Sequence, residues 1–263
     1  MPARTPYTIA EIRSIGQPPG LKERRNEEHW AGRLYGRSIS PYLAWVGLRA
    51  GLSPNQATYL MILSGIGGGF VISLGTGLVT AAIGALLVQL YLILDCSDGE
   101  MARVTGKTSV AGIFLDRIGH YLSEIALLIG LGFRAQGSWS NGGWVELGLI
   151  AALGAALIKA ETDNVVVARA KSGLPVEPVG GDRALRPTSN GLALARQAAS
   201  LLKLHRIIGA VELSLLILAA AVLDALTSFD PNFTQLLCVA VAAVAVLQTV
   251  LHLVSILASR RLK

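Results

Sequence analysis

Six stretches of about 20 residues, each apolar enough to fill the hydrocarbon core of a bilayer as a helix, limit what this 263-residue chain can become. They fall at 56–78, 80–100, 110–133, 144–168, 206–226 and 233–258. Inside lipid every backbone N–H and C=O must be bonded within its own segment, so the expected fold is an all-α integral membrane bundle of six transmembrane helices. A mean hydropathy of +0.54 agrees, because a soluble domain needs more charge than the 15% present. Ser53-Pro54 ahead of the first stretch is a helix-start signal. Cys96 and Cys238 lie far apart in apolar segments, which speaks against a disulfide framework. The first thirty residues mix both charge signs without an apolar run, unlike a cleavable signal peptide.

The basic residues orient the chain. Eight Lys/Arg precede residue 56, Arg103 and Lys107 lie between the second and third stretches, and eight more run from Lys159 to Arg206. The opposite connections hold only Arg134. By the positive-inside rule both termini and the 94–120 region face the cytoplasm, which for this chain means the inner side of the plasma membrane. The same distribution accounts for the net charge of +6 through topology, so no nucleic-acid partner is expected. Residues 1–52 are expected to form a cytoplasmic N-terminal segment and 53–263 the membrane domain. Within the former, 30–50 interleaves Trp30, Leu34, Ile39, Leu43, Trp45 and Leu48 with arginines, the pattern of an amphipathic helix in the headgroup plane, started or broken near Pro41. A cytosolic helix packed on the bundle is the alternative. A second surface helix is expected over "NGLALARQAASLLKLHR".

Chemistry concentrates in residues 94–122. Asp95 and Asp98 project about 60° apart on a helix, and Asp116 and His120 about 40° apart, so each pair shares a face. A short turn over 105–109 makes the two helices expected antiparallel neighbours, with both pairs at one depth. Isolated carboxylates near a bilayer are costly, whereas carboxylates gathered on a hard divalent cation are neutralised, and Mg²⁺ or Mn²⁺ suits oxygen ligands. Such an ion bridges phosphate oxygens. Gly99 and Ala102 leave room for a base or diphosphate, and Arg103 offers a bidentate fork. The bland alternative pairs Asp98 with Arg103 and Asp116 with Arg117.

The run Asp95, Asp98-Gly99, Ala102-Arg103, Gly112, Asp116 and His120, with two, two, eight, three and three residues between, resembles the signature of the CDP-alcohol phosphotransferases. Seven of the eight signature positions match with spacing intact, and "LSPNQATYLMILSGIGGG" resembles the start of that family's first span. The resemblance covers residues 53–120 and implies Mg²⁺- or Mn²⁺-dependent transfer of a substituted phosphate from a CDP-linked donor, usually CDP-diacylglycerol, to an alcohol, releasing CMP. It implies Asp95, Asp98, Asp116 and the last signature position at the metal. Pro54, Asn55, Gly99, Ala102, Arg103, Ser109 and Gly112 would surround the CDP portion. It also implies a homodimer of six-span protomers.

The last signature position, an aspartate in the family and the base for the acceptor hydroxyl, is His120 here. Imidazole is a competent base near neutral pH and a possible metal ligand. His120 is therefore either a replacement base or the mark of a site that binds a CDP-linked lipid without transferring it. Glu124, one turn on, either fixes the histidine's tautomer or pairs with a basic side chain elsewhere. Lys159, Asp163 and Arg169 are candidates for the acceptor pocket, and their setting leans toward an anionic alcohol. Glu212, inside the fifth stretch, needs a partner or a wet cavity, and Gly65 with Gly69 is a small-xxx-small packing pair. A soluble CDP-polyol donor is an alternative to the lipid. A transporter fits poorly, because the outer loops are short and the carboxylates sit at one end.

Overall fold

The computed structural model describes residues 7–19, 30–175, 208–259 and 261–262, which are helical wherever they are regular. The helices are α1 (Ile9–Gly16), α2 (Arg37–Arg49, entered through a π turn at Gly32–Gly36), α3 (Pro54–Ser73), α4 (Leu78–Thr105), α5 (Val110–Gln136), α6 (Gly143–Lys171), α7 (Ala210–Leu226) and α8 (Phe233–Ala258). Four of them, α3, α4, α6 and α8, are long and apolar enough to cross a membrane. The protein is thus a multi-helix integral membrane protein, with fewer qualifying spans than the six expected. α5 falls short because Asp116, Arg117, His120, Glu124 and Arg134 interrupt its apolar run, and α7 because it has 17 residues.

Local chemistry sets the helix ends. Ser53 and Gln56 close a reciprocal capping box over Pro54 at the start of α3. The helix stops at Ser73, five residues short of the expected 78, because Gly75 to Gly77 form the turn into α4. α4 runs to Thr105, where Gly106 adopts a left-handed φ of 65° and the Lys107 N–H returns to the Ala102 carbonyl at 3.0 Å. The Ser109 hydroxyl accepts the Gly112 N–H at 2.9 Å and starts α5.

α4 and α5 do not pack along one another as adjacency in sequence suggested. Both pack on α3, which lies between them as a wedge. The wedge is thin because it is glycine-rich: a Cβ on Gly68 would stand 2.7 Å from Val88 Cγ2 of α4, and one on Gly69 would stand 2.4 Å from the Ala126 carbonyl of α5. Gly65 fills the same role against Ser123, so the small-xxx-small pair is a packing seam. Past the wedge the two helices part, and the gap between them holds the polar residues.

The N-terminal helices cover α4. Pro41 neither starts nor breaks α2, which continues through it. Proline lacks the N–H that would bond the Arg37 carbonyl, and the Gln17 side-chain amide supplies a donor to that carbonyl at 2.6 Å. Ser40, Ala44 and Gly47 face inward, while Leu34, Ile39, Tyr42 and Val46 are exposed as an apolar outer face. Trp45 and Leu48, expected on that outer face, pack instead on a small core of Ile12, Ala44, Ala57, Met101 and Val104. α2 therefore both packs on the bundle and presents apolar surface outward. α1, an eight-residue helix with a Thr8–Glu11 capping box, was not foreseen. The expected surface helix near 190–205, with His205 and Arg206, lies outside the described residues.

Candidate functional site

Asp95 and Asp98 project from the last turns of α4, and Asp116 and His120 from the first turns of α5, into the gap that α3 props open. His120 Nε2 stands 3.4 Å from Asp95 Oδ1 and 3.5 Å from Asp116 Oδ1. One ligand atom from each of Asp95, Asp116 and His120 lies within 4.8 Å of the others, a set able to hold a metal ion. Two carboxylates and one imidazole fit a divalent cation, and the exposed side of the cluster leaves room for phosphate oxygens. Asp98 is offset, 7% exposed, and its Oδ2 accepts the Thr58 hydroxyl at 2.6 Å, while the residue lines the cavity beside the cluster.

Three cavities meet around these side chains. The first, about 340 Å³, is lined by Pro54, Asn55, Asp95, Asp98, Gly99, Ala102, Arg103, Ser109, Gly112 and Asp116, every residue assigned to metal or CDP except His120. Its floor is tight by design of sequence: a Cβ on Gly112 would lie 3.0 Å from Asn55 Oδ1, and one on Gly99 would lie 3.2 Å from Arg103 Nη1. The second, about 250 Å³, is lined by Arg37, Tyr91, Asp95, His120, Glu124 and Glu212 among others. The third, about 210 Å³, is bounded by Arg117, His120, Tyr121, Lys159, Thr162 and Asp163. His120 faces the second and third, and Asp95 the first and second.

The other candidates divide. Lys159 and Asp163 line the third cavity, each with an ionic partner: Lys159 Nζ lies 3.2 Å from Glu124 Oε1, and Arg117 Nε donates to Asp163 Oδ1 at 3.0 Å. Asp163 also accepts the Tyr121 hydroxyl at 2.9 Å. Arg169 does not belong with them. It is 2% exposed and donates to the Pro175 and Arg261 carbonyls, both at 2.8 Å, tying the end of α6 to the C-terminal residues. Glu124 serves Lys159 rather than the imidazole, and the hydrogen bond at His120 Nδ1 is made by the Tyr91 hydroxyl, whose ring meets the imidazole edge-on at 5.8 Å. The pairings Asp98–Arg103 and Asp116–Arg117 are replaced by Thr58–Asp98, Arg103 Nε to the Gly16 carbonyl at 2.7 Å, and Arg117–Asp163. Glu212 accepts the Trp30 indole N–H at 2.7 Å.

Arg37, Thr58 and Tyr91 were missed. Arg37 was one basic residue among many in an amphipathic run, and nothing in that run marks one arginine as turned inward. Tyr91 lies four residues before Asp95, and Thr58 four after Pro54, so helical spacing from the signature residues was the available signal.

No protein-family model matches the chain. Among curated proteins, the bifunctional IPC transferase and DIPP synthase of Aquifex aeolicus is 33% identical over 107 residues, 41% of this chain and 23% of that protein. The protein of the same description from Thermococcus kodakarensis is 35% identical over 116 residues, 43% of this chain and 24% of its own length. The phosphatidylinositol phosphate synthase of Streptomyces avermitilis is 29% identical over 112 residues, 43% of this chain and 44% of that protein. The matches therefore span less than half of each relative. They are homology, at low identity, to several members of the CDP-alcohol phosphotransferase family.

Proposed function

We propose that the chain is a CDP-alcohol phosphotransferase that crosses the membrane with six helices, its site toward the cytoplasm, and works as a homodimer. It moves a substituted phosphate, phosphatidyl from CDP-diacylglycerol, to an alcohol and releases CMP. The observation that carries this reading is the first cavity, in which ten residues of two sequence motifs converge around one end of a metal-capable cluster. Asp95 and Asp116 of the cluster, with Asp98 beside them on the same cavity, would hold Mg²⁺ or Mn²⁺, which would supply charge neutralisation at the diphosphate and leave His120 for the acceptor. Pro54, Asn55, Gly99, Ala102, Arg103, Ser109 and Gly112 receive the CDP portion. His120 Nε2 takes the acceptor's proton. That requires the tautomer with hydrogen on Nδ1, which the Tyr91 oxygen is placed to accept. The acceptor enters the third cavity beside Lys159 and Asp163, and the two cations there, Lys159 and Arg117, favour a phosphorylated polyol.

One observation favours a second reading, a protein that holds a CDP-linked lipid without transfer. His120 lies within 3.5 Å of both Asp95 and Asp116, so a protonated imidazole would offset one of the two negative charges in place of a metal. A soluble CDP-polyol donor stays within the first reading. One experiment separates these cases. Purified protein is incubated with Mg²⁺ or Mn²⁺, CDP-diacylglycerol or a soluble CDP-polyol, and a panel of alcohols headed by inositol phosphate, and CMP release is measured. Metal-dependent release with one acceptor supports transfer. Donor binding that neither needs metal nor releases CMP supports the second reading and rejects the first.

A further inference from the structure

α1 ends against the wall of the first cavity. Gly16 is its last residue, and the carbonyl there is one that no later turn of the helix can bond. Arg103, from the last turn of α4, donates its Nε to that carbonyl at 2.7 Å, across 87 residues of sequence. The C-terminal end of a helix carries partial negative charge, so a guanidinium is a favourable partner for it. We propose that the end of α1 positions Arg103 for the diphosphate of the nucleotide, with Gly16 as the positioning residue; this rests on the reading above that places the CDP portion in the first cavity. A short helix that no sequence motif marks thereby becomes part of the nucleotide site.

Of the three guanidinium nitrogens, the one used is Nε. Bonding it fixes the plane of the group and leaves the outer pair, Nη1 and Nη2, as a fork that matches phosphate oxygens; among the described residues that pair has no hydrogen-bond partner. An arginine that only ties turns together is spent differently, as Arg134 is, with both outer nitrogens on carbonyls. The Arg103 fork lies on the cavity wall. Arg103 and Gly99 both line the first cavity, and a Cβ on Gly99 would stand 3.2 Å from Nη1 and 3.3 Å from Nη2, so the guanidinium rests over backbone that carries no side chain. The carbonyl that holds it has no freedom to rise. A Cβ on Gly16 would stand 3.0 Å from the Glu100 Cβ and 3.3 Å from its Cα, and Glu100 is fully buried with the Ser40 hydroxyl on Oε1 at 2.6 Å. A side chain at position 16 therefore has to push α1 off α4 and draw the carbonyl from Nε. Anchors stand on both sides of Gly16. Ile12, one turn earlier, is buried among Ala57, Met101 and Val104, and the Gln17 amide donates to Glu100 Oε1 at 2.8 Å and to the Arg37 carbonyl at 2.6 Å. A loose arginine loses rotamer freedom at the moment it binds phosphate; docking of α1 meets that loss in the fold, before the nucleotide arrives.

The test is a double-mutant cycle on the full-length purified protein, read by calorimetry of CDP binding in Mg²⁺. Arg103→Ala is expected to weaken CDP binding about 10-fold or more. Gly16→Val should weaken it about five-fold and Gly16→Ala about three-fold, each in the presence of Arg103. In the Arg103→Ala background either change at position 16 should alter CDP affinity by less than about two-fold, because the group it acts through is gone. Losses that multiply instead overturn the proposal, since α1 then acts on packing alone, and so does unchanged CDP binding in Gly16→Val. If Gly16→Val fails to fold, the Gly16→Ala cycle decides by the same non-additivity. Transfer kinetics give a second readout: Gly16→Val should raise KM for the donor with KM for the acceptor within about two-fold of wild type. Wild type that binds CDP but never releases CMP from CDP-diacylglycerol rejects the transferase reading, and the binding cycle still judges α1. Wild type that transfers normally while the losses multiply rejects only the positioning role. Wild type that binds no CDP rejects both.

Discussion

Charged side chains gather at both ends of the bundle, and they are treated in opposite ways. At the end where α3 meets α4 and α5 meets α6, Arg134 is 1% exposed and spends its two terminal nitrogens on four acceptors, the carbonyls of Gly75, Thr76 and Gly77 and the Thr80 hydroxyl. Asp224 at the same end caps α8 through the N–H groups of Phe233 and Thr234. At the other end Asp95, Asp116 and His120 face open cavities, with His120 Nε2 3.4 Å from the Asp95 carboxylate and 3.5 Å from that of Asp116. Charges closed by tight hydrogen bonds hold turns together, whereas charges loosely matched around empty space are ready for a ligand.

The contrast is breakable by substitution. The largest effect is expected from replacing Asp95 and Asp116 together by asparagine, which should reduce metal-dependent CMP release about a thousand-fold and abolish Mn²⁺ binding measured by paramagnetic resonance, with the melting temperature retained or raised. His120→Ala should cost about 100-fold in kcat, and His120→Asp should keep most of the activity; unchanged release in the alanine variant would end the base assignment. At the opposite end, Arg134→Met takes the Arg134 donor from the Thr76 carbonyl and one donor each from the Gly75 and Gly77 carbonyls, which keep the Thr80 hydroxyl, and should lower stability by about 1–3 kcal/mol, read as a drop in detergent melting temperature, with activity per folded molecule intact. Gly69→Val, which drives side chain into the α5 backbone, should cost about 1–3 kcal/mol by the same measurement. The smallest effect belongs to the intermediate pair: a double-mutant cycle with Glu124→Gln and Lys159→Met should give a coupling of about 1 kcal/mol in acceptor KM and little in donor KM.

Much of the fold was legible because lipid leaves a chain so few options: every long apolar stretch whose coordinates are described is a helix. The missed boundaries come from local turns, such as Gly75 to Gly77, that hydropathy does not weigh. The approach of Asp95, Asp116 and His120 was legible because helical spacing is short-range geometry, whereas Asp98 stands offset against Thr58. What escaped depends on tertiary placement. Sequence adjacency argued for α4 against α5, but glycines on both sides of α3 made it the closer neighbour of each. Arg169 and Arg37 read alike as basic residues near a span, yet one closes off carbonyls and the other faces two cavities. The charge of an arginine says nothing about which acceptors the fold will bring to it.

The glycine seam between α3 and α5 has a mechanical meaning. Two backbones in direct contact have no layer of side chains between them that could slide or re-pack, so this pair acts as a stator. Any displacement that admits substrate and expels product has to be taken up by the parts resting on it through side chains, chiefly α1 and α2 over α4. Spectroscopic labels across α2 and α3 should register each turnover, and a pair across α3 and α5 should stay silent.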